Sequence, residues 1–174
     1  FGDDVGKEPD DILLLRSAHN ARVTLLSGVT TARELGAKNR TSLWLKEGIR
    51  QGLVTGSRMI VCGRPVTITG GHMWYFGGEA DGVDGVRKAV RQLVKEGADF
   101  IKIAATGGST LSSYPNRPSY SLEELTAIVQ EAHRFDKLTA AHCRSSQGLI
   151  NALDAGLDMI LHSMFYEGDG TYKF

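Results

Sequence analysis

Apolar positions along this chain follow two periods. Apolar residues spaced by three or four predict helices. One covers residues 10–26, with Ile12, Leu15, Ala18, Ala21, Val23 and Leu25 apolar; another covers 42–52, with Leu43, Leu45 and Ile49. A third covers 83–96, where Val83, Val86, Val90, Leu93 and Val94 share a face. Ser121-Leu122-Glu123-Glu124 reads as a capping box that opens a helix to about Phe135, and a last helix passes through 149–153. Short dense apolar runs predict strands at 29–32, 58–63, 99–105, 138–142 and 159–162. Helix and strand thus alternate through five units. A junction recurs between them: Ser27-Gly28-Val29, Glu96-Gly97-Ala98-Asp99 and Ala155-Gly156-Leu157-Asp158. Glycine there suits a left-handed helix stop before a tight turn. Such alternation predicts an α/β fold of parallel strands covered by helices, with residues 1–174 forming a single domain. Two long loops, 64–82 and 107–120, each follow a strand, as active-site loops do in barrels.

Composition narrows the partners. A chain of 174 residues is long enough for one real core. It carries 20 Lys plus Arg against 20 Asp plus Glu, so charge gives no basis for binding nucleic acid or an anionic membrane. There is no long apolar run and no basic-then-apolar amino terminus, so neither a transmembrane span nor a signal peptide is expected in the chain as given. Cys62 and Cys143 are few and far apart. They are expected to be reduced, which favours a cytoplasmic location.

The chemistry concentrates at strand ends. Lys102 sits in Phe100-Ile101-Lys102-Ile103-Ala104-Ala105, and Thr106-Gly107-Gly108 follows. A lysine among apolar neighbours is costly to place unless something uses it. His142 and His162 end the next two predicted strands in the same way, which in a parallel barrel is the catalytic end. Burial depresses a lysine pKa, so its neutral amine is available to form a Schiff base or, with carbon dioxide, a metal-bridging carbamate. Neutral imidazoles suit zinc and similar ions. His72, behind Gly70-Gly71 and beside Trp74 and Tyr75, is a candidate pocket residue, and Arg117 and Arg144 are candidate carboxylate binders. Thr106-Gly107-Gly108-Ser109 has the composition of a phosphate cradle. Glu79 and Asp81 read as solvated loop carboxylates, and Cys143 has the strand parity of a residue facing away from His142.

Taken in order, several stretches resemble the metal-dependent amidohydrolase superfamily, in its imidazolonepropionase-like and prolidase-like branch. They are Gly28-Val29-Thr30-Thr31-Ala32-Arg33-Glu34-Leu35-Gly36, Thr69-Gly70-Gly71-His72, Phe100-Ile101-Lys102-Ile103 with Thr106-Gly107-Gly108, Tyr120-Ser121-Leu122-Glu123-Glu124-Leu125, Ala140-Ala141-His142 and Asp158-Met159-Ile160-Leu161-His162. The resemblance implies a (β/α)₈ TIM-type barrel, here incomplete, with about five units corresponding to strands two to six. It implies a divalent-metal centre, zinc by expectation, with two ions in the complete enzyme. Lys102 would be the carboxylated bridging ligand, His142 and His162 would bind the second metal, and His72, Tyr75, Arg117 and Arg144 would face the substrate. The implied reaction is attack of metal-bound hydroxide on a small amide, dipeptide or cyclic amide. The family's His-x-His pair and late-strand Asp have no counterparts here, Leu161 stands where relatives carry Glu, and Cys143-Arg144-Ser145 departs from the usual sequence after His142. The isolated chain is therefore expected to be inactive. The other readings are an inactive barrel segment that self-associates and a phosphate-binding or Schiff-base barrel using Lys102. Open sheet edges, with inward Ile60 and Phe100 lacking cross-barrel partners, lead to the expectation of a homo-oligomer.

Overall fold

The computed structural model of this chain describes residues 4–172. Its helices are α1 (Asp4–Lys7), α2 (Asp10–Leu26), α3 (Thr41–Arg50), α4 (Gly82–Glu96), α5 (Leu122–His133) and α6 (Ser146–Asp154). Its strands are β1 (Thr31–Glu34), β2 (Arg58–Val61), β3 (Ile101–Ala104), β4 (Thr139–His142) and β5 (Met159–Leu161). After α1 the order is the predicted helix–strand alternation. Among the described residues no helix is long and apolar enough to cross a membrane.

Every ladder is parallel: β1 pairs with β2, β3 with β4, and β4 with β5. The two ladders meet at a seam. Asp99 N–H donates to the Val61 carbonyl at 2.8 Å, and Val61 N–H donates to the Asp99 carboxylate at 2.8 Å. Beyond it Val66 N–H donates to the Lys102 carbonyl at 2.8 Å, and Ala104 N–H to the Val66 carbonyl at 2.9 Å. The strands therefore follow chain order across an open arc of a (β/α)₈ barrel.

Side chains alternate across that arc. Ile101 and Ile103 pack outward with Val86, Val90, Leu93, Leu125 and Ile128 of α4 and α5. Phe100, Ala140 and Cys62 face inward, against Leu35, Met159 and Leu161. Ile60 is 38% exposed, as expected of an inward residue without a cross-barrel partner. Phe100 departs from that expectation: it is buried, with the Arg33 guanidinium 3.9 Å from its ring centroid.

The recurring junction has a backbone cause. Gly28, Gly97 and Gly156 all take left-handed φ angles, of 96°, 97° and 81°. In two of the three repeats the motif goes on to an aspartate that accepts a neighbouring strand's N–H. Asp99 takes that of Val61, and Asp158 takes that of Thr139 at 2.7 Å. Each also meets a basic side chain, Lys46 at 2.6 Å and His133 at 2.9 Å.

Boundaries differ from the pattern where turn chemistry intervenes. The first strand lies two residues later than read, because the chain is still leaving the Gly28 stop through Val29 and Thr30. The last helix begins at Ser146, since the Ser145 hydroxyl accepts the Gly148 N–H at 3.1 Å. The Ser121 capping box forms as read. The apolar positions read on the first helix do not make one buried face: Leu13 and Ala21 are buried, while Ile12, Leu15 and Val23 are exposed.

Candidate active site

β3, the carboxyl end of β4 and the turn after β5 bring the candidate ligands together. Lys102 lies in register with Ala140, and His142 with Ala104 and Leu161. Lys102 and His142 are each 2% exposed. His142 lies between two other imidazoles, with ring centroids 4.4 Å from His72 and 4.6 Å from His162. His162 follows β5 with a left-handed φ of 69°, and Ser163 with one of 47°. Backbone of this kind at a strand end gathers at functional sites.

His72 arrives from the long loop after β2. Its ring is 7% exposed, and its Nδ1 lies 2.9 Å from the Thr110 hydroxyl in the loop after β3. A Cβ on Gly108 would stand 2.6 Å from the Cδ2, Cε1 and Nε2 atoms of this ring, so only glycine lets the loop lie there. His142 is fixed from the other side, with Nε2 3.0 Å from the Gly107 carbonyl. A carbonyl only accepts, so Nε2 carries the proton and Nδ1 keeps its lone pair.

Electrostatics agree with neutral donors. Burial lowers the Lys102 ammonium to about 8. Burial lowers His72 to about 4, helped by the charges of Lys102 and Arg144, and lowers His142 to about 2. His162 is lowered also, first by burial and then by Lys102 and Arg144. At neutral pH the imidazoles are lone-pair donors, and a neutral fraction of Lys102 is within reach.

Arg144 lies two residues after His142, with Cys143 between them. Its N–H donates to the Thr106 hydroxyl at 3.0 Å, while its side-chain Nε is buried with no hydrogen-bond partner. Arg117 stands apart, its guanidinium 4.9 Å from the Tyr114 ring centroid in a pocket walled by Gly107, Ser112 and Ser119. Tyr75 is not in the cluster: it packs against Gly6 of α1, where a Cβ would meet its Cβ at 2.6 Å.

Other readings change with the geometry. The Gly107 and Gly108 N–H groups already donate to the Arg117 carbonyl and the Ser113 hydroxyl, at 3.4 and 3.0 Å, so they do not form an open phosphate cradle. Glu79 and Asp81 are fastened to the loop, accepting the N–H groups of Gly70 at 2.7 Å and Thr69 at 3.0 Å. Cys143 lies in the outward core, as its parity indicated, and both cysteines are free thiols. Thr110, which holds His72, is not singled out by the sequence, and Gly108 is read there only for other roles; they belong to a loop that reveals its contacts only when folded.

Among the described residues no group of three or more His, Cys, Asp or Glu is placed to hold a metal ion. The donors present are two imidazoles and one lysine amine. As they stand they suit a divalent ion only as a partial set.

A parallel barrel arc with basic ligands at its carboxyl edge defines a class of strand-end active sites. The Amidohydrolase family matches residues 5–171, and the chain belongs to that family. Among solved structures it is similar to a Xaa-Pro dipeptidase with methionine bound in its active site, at 31% identity and a TM-score of 0.83, over 88% of this chain and 41% of that one. It is also similar to a prolidase complexed with N-methylphosphonate-L-proline, at 28% identity and a TM-score of 0.81, over 90% of this chain and 42% of that one. Ochratoxinase of Aspergillus niger is 40% identical over 84 residues, which are 48% of this chain and 18% of ochratoxinase. The chain thus spans less than half the length of these relatives.

Proposed function

We propose that this chain supplies one wall of a metal-dependent hydrolase that cleaves the C–N bond of a small amide, dipeptide or cyclic amide. The observation that carries the reading is the gathering of buried Lys102, inside β3, with His142 at the end of β4 and His162 just past β5. The similarity to dipeptidase, prolidase and ochratoxinase structures supports an amide substrate.

In this reading Lys102, His142 and His162 hold divalent metal, with zinc suited to the imidazole donors. Such an ion supplies Lewis acidity, which polarises a carbonyl and lowers the pKa of water. His142 offers Nδ1 because the Gly107 carbonyl occupies the proton on Nε2. His72, neutral at pH 7, offers a hydrogen bond to the substrate carbonyl. Arg144, beside the histidines, binds a substrate carboxylate through its fork of donors. Arg117 and Tyr75 contribute only by shaping the surrounding loops.

Lys102→Met in an enzyme that contains this segment tests the reading. Turnover is expected to fall by several orders of magnitude. With metal stripped from both forms, the melting temperature should be equal or higher, because a desolvated amine has been replaced by an apolar side chain. Near-normal turnover would return Lys102 to a structural role.

A further inference from the structure

The two long loops meet at the Thr110 hydroxyl and, further out, through the Ser112 hydroxyl, which donates to the Gly70 carbonyl at 2.8 Å. Thr110 is 2% exposed, and its Oγ1 lies 3.1 Å from the Met73 amide nitrogen and 2.9 Å from His72 Nδ1. A backbone amide only donates, so Thr110 accepts from Met73 and retains one hydroxyl hydrogen to place. Nδ1 of His72 is the acceptor in reach. The opposite arrangement, with the proton on Nδ1, would leave a buried hydroxyl hydrogen with nothing to receive it.

We propose that Thr110 is a positioning residue: its hydroxyl donates to His72 Nδ1 and so holds the ring as the Nε2–H tautomer, a hydrogen-bond donor toward substrate. The clause about substrate rests on the function proposed above; the tautomer does not. Three contacts keep the ring in place: Thr110 at Nδ1, Gly108 against its face, and the His142 ring at 4.4 Å. Nε2 is left as the ring nitrogen without a hydrogen-bond partner among the described residues. Met73 takes a left-handed φ of 63°, which turns its N–H onto the same hydroxyl. A ring held this way cannot accept a proton at Nε2, because that nitrogen already carries one. His72 therefore polarises a carbonyl rather than acting as a base.

The test is imidazole ¹⁵N–¹H long-range correlation spectroscopy on the chain at pH 7.5, with His72 assigned by the loss of its signals in His72→Gln. The expected spectrum has a pyridine-type Nδ1 and a pyrrole-type Nε2 for His72. Thr110→Val, which removes the hydroxyl but keeps the branched shape, should mix the two tautomers, and Thr110→Ser should restore the pattern. A pyrrole-type Nδ1 in the unaltered chain overturns the proposal, even if the valine variant does not fold. An unchanged pattern in Thr110→Val overturns it equally. In an enzyme containing this segment, Thr110→Val should lower kcat about tenfold with little change in KM, and Thr110→Ser should recover it. If the tautomer is as expected and kcat does not move, the tautomer stands and the substrate-facing role of His72 falls.

Discussion

Every residue of β3 and β4 is buried, whereas across β1 and β2 only Val61 is. The same architecture is thus finished in one part of the molecule and open in the other. β4 lies between β3 and β5, the Val66 segment bonds the other side of β3, and α4 and α5 pack over the outer face, the condition that makes parallel strands apolar throughout. β1 is a terminal strand beside a helix that exposes Ile12, Leu15 and Val23. Lys102 and His142 both belong to the finished part, where packing fixes their backbone. His72 comes from the loop that leaves the open part, and it needs Thr110 and Gly108 to reach the others.

The sharpest way to break this comparison is a pair of matched truncations. Ile103→Ala, fully buried, is expected to cost about 2–5 kcal/mol in urea unfolding. Ile60→Ala, on the open inner face, should cost about 1 kcal/mol or less. Equal losses would mean that the open part is packed in solution. Next in size is a pH effect located where the two parts meet. His72 and His142 have folded pKa values below the ordinary histidine value of 6.5, at about 4 and about 2. Below pH 6.5 the unfolded chain therefore binds more protons, so stability should fall as pH drops from about 6.5 to 4 and continue falling toward 2. Urea midpoints of the metal-stripped chain at pH 7.5 and 5 check the sign, and His72→Phe should flatten the slope.

The open part should show itself in self-association. β1 and β5 end the strand order, and apolar side chains flank β1. Sedimentation is expected to depend on concentration; a compact monomer at all concentrations would show that these edges are protected. The smallest effect compares two helix starts. Ser121→Ala should cost about 1 kcal/mol by removing the capping box of α5. α2 begins at Pro9 with no side-chain cap, so Pro9→Ala should cost less, as thermal unfolding of the two variants would show.

Much of this was legible in the sequence because periodicity and punctuation agree with each other. The order of elements, the three glycine stops, the Ser121 cap and the strand-end positions of His142 and His162 follow from local pattern, whereas Lys102 lies inside β3, two residues before its end. The residues that hold His72 do not. Thr110 acts 38 residues away from its partner, and a threonine in a polar loop carries no periodic signal. Tyr75 was drawn toward the site by nearness to His72 along the chain, yet the turn at Trp74–Phe76 directs it onto α1. Phe100 was read as partnerless because Arg33, a charged residue, does not look like core; its flat guanidinium covers the ring.

Asp99 and Asp158 have a consequence for how such a wall curves. A barrel closes only when the stagger between successive strands is correct, and a parallel ladder by itself tolerates sliding. A carboxylate at a fixed distance past a left-handed glycine accepts one particular amide on the strand beside it. Slipping that strand by a residue would bring up a residue whose N–H points to the other side and leave the carboxylate without its donor. The two aspartates thus act as register pins, and the shear of the wall is written partly in side chains that never approach the catalytic edge.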